Sequence, residues 1–166
     1  ITYSCYRREN AKEFYIMPLC VKLYRQRWYM VGRVWSLNRD MLFCLDRIQD
    51  IRFSSHTFQY PKDFNPREYF DGCFGIIAGT DTKTQEVRLK VSASQANYIR
   101  DLPLHGSQRE IERNAEYSVF TLKVRPTFDF QQEVLWNGEY IEVLEPLWLR
   151  KEIAGRIKKM WNKYNP

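Results

Sequence analysis

Two stretches near the start of the chain alternate with period two. Tyr15, Met17, Leu19, Val21 and Leu23 fall on one side of an extended chain, and Pro18 on the other predicts an edge strand or a bulge. After Arg25-Gln26 the alternation resumes. Trp28, Met30, Gly32 and Val34 share one side, while Arg27, Tyr29, Val31, Arg33 and Trp35 share the other. The first of these sides is apolar or small and is expected to close a core, with Trp28 and Met30 inside it. The second sets guanidinium groups beside aromatic rings. A two-residue hairpin loop favours Gly or Asn, because φ is positive there. Arg25-Gln26 supplies neither, so a wider turn is expected. Short apolar runs at Met41–Leu45 and Arg47–Phe53 complete about five strands between Ile1 and Phe53, the pattern of a small, strongly bent β-barrel.

From His56 to Tyr69 the chain turns to Tyr60-Pro61, Asp63 and Asn65-Pro66, with Phe58, Phe64 and Tyr69 to pin it. This is linker chemistry. It divides the sequence into a barrel over residues 1–55, a linker over 56–68 and a second domain over 69–166. In the second domain, Val87, Leu89 and Val91 alternate as a strand. Ser92 or Ser94 is placed to cap a helix with Gln95, Tyr98, Ile99 and Leu102 on one face, stopped by Pro103. A polar strand at Ser107–Arg113 precedes a strong one at Tyr117–Val124. Thr127 is placed to cap a helix that Gly138 ends in the left-handed region. Tyr140–Leu144 is a strand, and Pro146 opens a last helix with Leu149, Ile153, Ile157 and Met160 or Trp161 as its apolar stripe. The order β-α-β-β-α-β followed by a helix predicts a ferredoxin-like layer, making the whole chain mixed β and α+β.

Charge changes this picture by being uneven. Residues 1–55 carry ten Lys or Arg against five Asp or Glu, residues 56–146 ten against fourteen, and residues 147–166 six against one. Basic ends suggest an anionic partner, and equally suit basic and acidic modules docking on one another. Cys5, Cys20, Cys44 and Cys73 lack metal-type spacing and are expected to be buried free thiols of a reducing, cytoplasmic compartment. No apolar run reaches the roughly 20 residues of a membrane span. The chain opens on Ile1, already in a strand-like alternation with Tyr3 and Cys5, so a preceding segment is expected. No G-x-S-x-G, H-E-x-x-H or glycine-rich phosphate loop is present and the acidic residues are scattered, so neither catalysis nor a cofactor or metal is expected.

Pro18, then Trp28-Tyr29-Met30 ten residues on, then Leu45-Asp46-Arg47-Ile48, and finally Val143-Leu144-Glu145-Pro146 with Leu149-Arg150 form a set of spaced motifs. With Leu104-His105-Gly106-Ser107-Gln108, this set resembles a WYL-domain protein followed by the C-terminal extension of that family. The resemblance implies an Sm-like or SH3-like barrel, membership of a bacterial transcriptional regulator, operator DNA held by a winged helix-turn-helix ahead of the barrel, and a homodimer. It implies that the barrel senses a ligand, which in some members is single-stranded nucleic acid. Met30 replaces the usual Leu, a volume-conserving change, and Met41 stands where a basic residue is common.

Phosphates call for Lys or Arg, and unstacked bases for rings or guanidinium planes. Tyr29, Arg33 and Arg27 on the central strand, with Lys22 and Tyr24 on its hairpin partner, are therefore the candidates for single-stranded nucleic acid or a nucleotide-like anion. Arg47 joins them through the Leu-Asp-Arg-Ile motif, with a structural ion pair to Asp46 as its alternative. Gln108 is a further candidate, on a strand that could equally be merely solvated. Arg156, Lys158, Lys159 and Lys163 form a basic helix end, which the helix dipole explains without a partner. A dimerisation module without ligand is the rival function.

Overall fold

The computed structural model describes residues 1–6, 10–78 and 82–165. The chain divides into two compact units, Ile1–Asp71 and Gly72–Pro166.

The first unit contains six strands: β1 (Thr2–Tyr3), β2 (Lys12–Glu13), β3 (Ile16–Tyr24), β4 (Arg27–Val34), β5 (Arg39–Cys44) and β6 (Ile48–Asp50). They form two three-stranded antiparallel sheets, β2-β1-β6 and β3-β4-β5, and among the described residues they do not close into the single barrel expected. The physical reason lies in length. β1, β2 and β6 span only two or three residues each, and a helical turn at Leu45–Arg47 breaks the ladder between β5 and β6. Pro18 fits its forecast twice over, since β3 is an edge strand and its register shifts between Pro18 and Cys20.

The β3–β4 turn corrects the expectation of a wide loop. Tyr24 pairs with Arg27, and Arg25 and Gln26 adopt φ of 45° and 65°. The register of two well-formed strands thus imposes the left-handed region on residues that resist it. Gly32 is buried between Ile16 and Phe43, where a Cβ would meet them at 3.4 and 3.5 Å, ordinary contact distances.

The two sides of β4 also differ from expectation. Trp28 is 50% exposed rather than core, because the strand end at the hairpin runs beyond its covering residues, while Val34 and Phe43 are buried. On the cationic side Val31 is fully buried, in a cluster with Leu19 and Phe64 supported by Cys20, Leu42, Tyr69 and Phe70. The stretch after β6 supplies that cover. Tyr60 donates its hydroxyl to the carbonyl of Leu19 at 3.0 Å, and the one-turn helix α1 (Pro66–Tyr69) presents Tyr69. Asn65 caps α1, accepting from the backbone N–H of Arg67 and donating to Glu68, with Pro66 in the first turn.

The second unit runs β7 (Gln85–Ser92), α2 (Ala93–Asp101), β8 (Arg109–Arg113), β9 (Tyr117–Val124), α3 (Phe128–Trp136), β10 (Ile141–Glu145) and α4 (Leu147–Tyr164). Its sheet is antiparallel throughout, in the order β10-β7-β9-β8. Val87, Leu89, Val91, Phe120, Leu122 and Val124 bury one face of the sheet, and Phe130, Val134, Leu149 and Ile153 of α3 and α4 belong to the same core. Gly138, at φ 57°, follows the end of α3 as predicted.

Three local expectations are corrected. The face of α2 that turns inward carries Ala96 and Ile99, while Tyr98 and Leu102 are 70% and 80% exposed. Neither Ser92 nor Thr127 caps its helix through its side chain: Ser92 meets the hydroxyl of Ser94, and Thr127 donates to Asp129. The stripe of α4 is buried only at Leu149 and Ile153, with Ile157, Met160 and Trp161 exposed.

Candidate ligand site

The register of the first sheet decides which side chains can meet. Lys22 lies opposite Tyr29, and Tyr24 opposite Arg27; on the other side of β4, Tyr29 faces Cys44 and Arg33 faces Asp40. Tyr24, Lys22, Arg27 and Tyr29 are thus cross-strand neighbours on one face. The turn Leu45–Arg47, directly after β5, returns Asp46 and Arg47 to the same region.

A cluster forms around Tyr29. Arg27 reaches Asp46 at 3.3 Å. A hydrogen bond with Tyr6, then the Asp46 carboxylate, push the Arg27 guanidinium further above its ordinary range. The guanidinium of Arg47 stacks on the ring of Tyr6, 3.8 Å from its centre. The Nε of Arg47 is buried and has no hydrogen-bond partner among the described residues. Burial pushes the Tyr29 phenol up, as does the neighbouring Cys44, against the opposing pull of Arg27 and Arg47. Cys44 donates its thiol toward Asp46 at 3.5 Å and its backbone N–H to the Tyr3 hydroxyl at 3.1 Å. Two guanidinium groups, one carboxylate and three phenols therefore share one neighbourhood with a net positive charge.

The other proposed residues have different placements. Arg33 grips Asp40 with Nε at 2.8 Å and a second contact at 3.4 Å, and lies 3.7 Å from Asp63; its side chain is only 18% exposed. Its charge is largely used inside the unit. Lys22 holds its ammonium 4.1 Å from the centre of the Phe70 ring. Arg25 lies 5.5 Å from the Tyr24 ring, at the hairpin end. Gln108 is in the second unit, where its amide donates to the carbonyl of Ile99 at 2.8 Å and accepts from the N–H of Leu104 at 2.9 Å, fastening α2 to β8. Asp46 pairs with Arg27 and not with Arg47, so the ion pair weighed as Arg47's structural role is not formed.

Tyr6 and Tyr3 are the members that sequence reasoning did not place. The alternation of Ile1, Tyr3 and Cys5 signalled a strand, and β1 delivers Tyr3 beside Phe14 and Phe43. Tyr6 lies past that strand, where periodicity carries no signal. Among the described residues, no three His, Cys, Asp or Glu side chains gather as metal ligands would. Of the four thiols expected to be buried, Cys44 and Cys73 are, whereas Cys5 and Cys20 are only partly covered. No helix among the described residues is long and apolar enough to cross a membrane.

Comparison with known families now bears on this geometry. The WYL domain family matches residues 1–53, and the WCX domain family matches residues 83–161. The chain is a WYL-domain protein. Its WYL match holds every member of the Tyr29 cluster, and its WCX match takes in β7 to the middle of α4 and beyond. Among solved structures, it is similar to the proteasome accessory factor B/C (PafBC) of Arthrobacter aurescens, at 18% identity and a TM-score of 0.39, over 95% of this chain and 24% of that one. The WYL-domain chain thus spans about a quarter of the length of that protein. No curated protein matches it.

Proposed function

We propose that this chain is the sensing region of a bacterial WYL-domain transcriptional regulator, and that its first unit binds single-stranded nucleic acid or a nucleotide-like anion on the Tyr29 and Arg47 face. In this reading the first unit is an Sm-like module, opened into two sheets, and the second a ferredoxin-like layer, as its β-α-β-β-α-β order and its strand order suggest. Operator DNA is held by another part of the regulator, the whole works in the cytoplasm as a homodimer, and its role is regulatory rather than catalytic.

One observation carries the reading. Arg47 presents a buried N–H with no partner among the described residues, beside a second arginine and three tyrosines. A buried charged donor left unmet is costly, and an anionic acceptor is the natural remedy. Arg47 and Arg27 can take a phosphate, while Tyr6 and Tyr29 offer ring faces to a base. A module that only dimerises gives no reason for that orphan donor.

Fluorescence anisotropy with labelled single strands, at low and moderate salt, tests this. Wild-type binding is expected to fall steeply as salt rises. Arg47→Ala is expected to weaken it at least tenfold while thermal melts remain cooperative. Unchanged binding by a folded Arg47→Ala would sink the site, and so would the absence of any salt-dependent binding by the wild type.

A further inference from the structure

On the outer side of α4 lies a groove of about 300 Å³ lined by Trp148, Lys151, Glu152, Gly155, Arg156 and Lys159. These positions recur at three- and four-residue spacing, so they form one stripe along the helix. The stripe is distinct from the one that sends Leu149 and Ile153 into the core. Two members are fixed in place. Trp148 donates its indole N–H to Gln85 at 3.0 Å, and the Arg156 guanidinium donates to Gln131 at 2.8 Å while lying 4.8 Å from the Phe128 ring centre. Lys151 and Lys159, exposed at the surface, stand about 12 Å apart along the axis.

Gly155 makes this more than a solvated face. It lies well inside an 18-residue helix, where glycine weakens the helix relative to alanine. A Cβ at this position would meet nothing within 4 Å, so internal packing does not require its absence. The missing side chain instead opens the floor of the groove. A helix dipole accounts for cations in the last turn, but not for an open notch flanked by a fixed indole eight residues or more from the C-terminal end.

We infer that this groove on α4 is a second binding site for single-stranded nucleic acid, with its backbone phosphates on Lys151 and Lys159 and a base against Trp148. Lysines serve phosphates as mobile point charges, and an exposed ring face stacks any base. An acidic peptide would call for a guanidinium fork free for bidentate pairing. The only arginine in the groove already has one terminal nitrogen on Gln131 and its plane beside Phe128. The site belongs to the second unit and stands independently of the Tyr29 and Arg47 face.

The test uses the whole chain and a labelled oligothymidylate, with a hairpin duplex and polyglutamate as competitors. Lys151→Gln/Lys159→Gln removes two phosphate contacts and should flatten the slope of log affinity against log salt by about 1.4. Gly155→Gln keeps every charge and fills the notch; it should weaken binding at least fivefold while the thermal midpoint holds or rises. Both effects are to be read in an Arg47→Ala background, where the tighter first-unit site no longer masks them, which separates this site from the one in the first unit. Unchanged affinity and slope in the two folded α4 variants would overturn the inference and leave the first-unit reading intact. Stronger competition by the duplex or by polyglutamate than by unlabelled oligothymidylate would also overturn it.

Discussion

Three arginines of the first unit show how neighbours set the use of one side-chain type. Arg33 is clamped by Asp40 and approached by Asp63, Arg27 shares Asp46 with solvent, and Arg47 keeps a donor unmet among the described residues. Arg33→Gln is therefore expected to lower stability by about 1–2 kcal/mol, the scale of a lost charge-assisted hydrogen bond in a largely covered pair, while leaving oligonucleotide affinity within twofold. Urea melts beside anisotropy check both halves; a large affinity loss at unchanged stability would return Arg33 to the ligand site. In the second unit the Arg100 guanidinium, bound at 2.7 and 2.9 Å, holds the Glu110 carboxyl down to about 2, against the upward push of burial. A carboxyl depressed in the folded state contributes fully above its unfolded value near 4.5 and loses that contribution as pH falls through about 2. Thermal midpoints measured from pH 7 to pH 2 should fall in that window, and Glu110→Gln should remove part of the fall. An identical pH profile in wild type and variant would refute the linkage.

Among the elements, the β3–β4 hairpin carries a local conflict that its length resolves. The registered pairs of two long strands hold Arg25 and Gln26 at positive φ, where side chains with a Cβ are strained. Replacing Arg25-Gln26 with Asn-Gly should relieve about 1 kcal/mol and raise the thermal midpoint by several degrees. A lower midpoint in that variant would mean that the native pair makes contacts worth more than the strain. The final helix shows the opposite imbalance. Its amphipathic stripe is longer than the core beneath it, so burial ends after Ile153 while Ile157, Met160 and Trp161 continue the same period in solvent.

For the molecule as a whole, the expectation of a homodimer becomes a measurement of mass. The chain should scatter light as a dimer at tens of micromolar, an expectation resting on the WYL and WCX matches and on the exposed apolar residues of the second unit. A monomer mass at that concentration would remove dimerisation from this region. Net charge of +6 should make association with any oligonucleotide salt-sensitive, so affinities are comparable only at matched ionic strength.

Periodicity by itself fixed a good deal. The alternations at residues 15–23 and 27–35 became β3 and β4, Tyr117–Val124 became β9, and the β-α-β-β-α-β order of the second unit was readable because β7, β9, β10 and the helices each bury part of one face, while β8, exposed along its whole length, showed only as a polar run between its neighbours. The spaced motifs around Trp28, Asp46 and Pro146 were enough to point to the WYL family. What pattern could not supply was cover and closure. Whether a strand face is open depends on what folds back over it, and the segment Tyr60–Phe70 buries Val31 within the very side that alternation marked as cationic. Whether short strands join into one barrel depends on ladders between residues distant in sequence, and here, among the described residues, they stop as two sheets. The same holds at the candidate site. Sequence named Tyr29, Arg27 and Arg47, but Tyr6 stacking on Arg47 and Asp46 choosing Arg27 are long-range pairings that only the tertiary structure decides, because an ion pair or a stacked ring depends on distance in space and leaves no period along the chain.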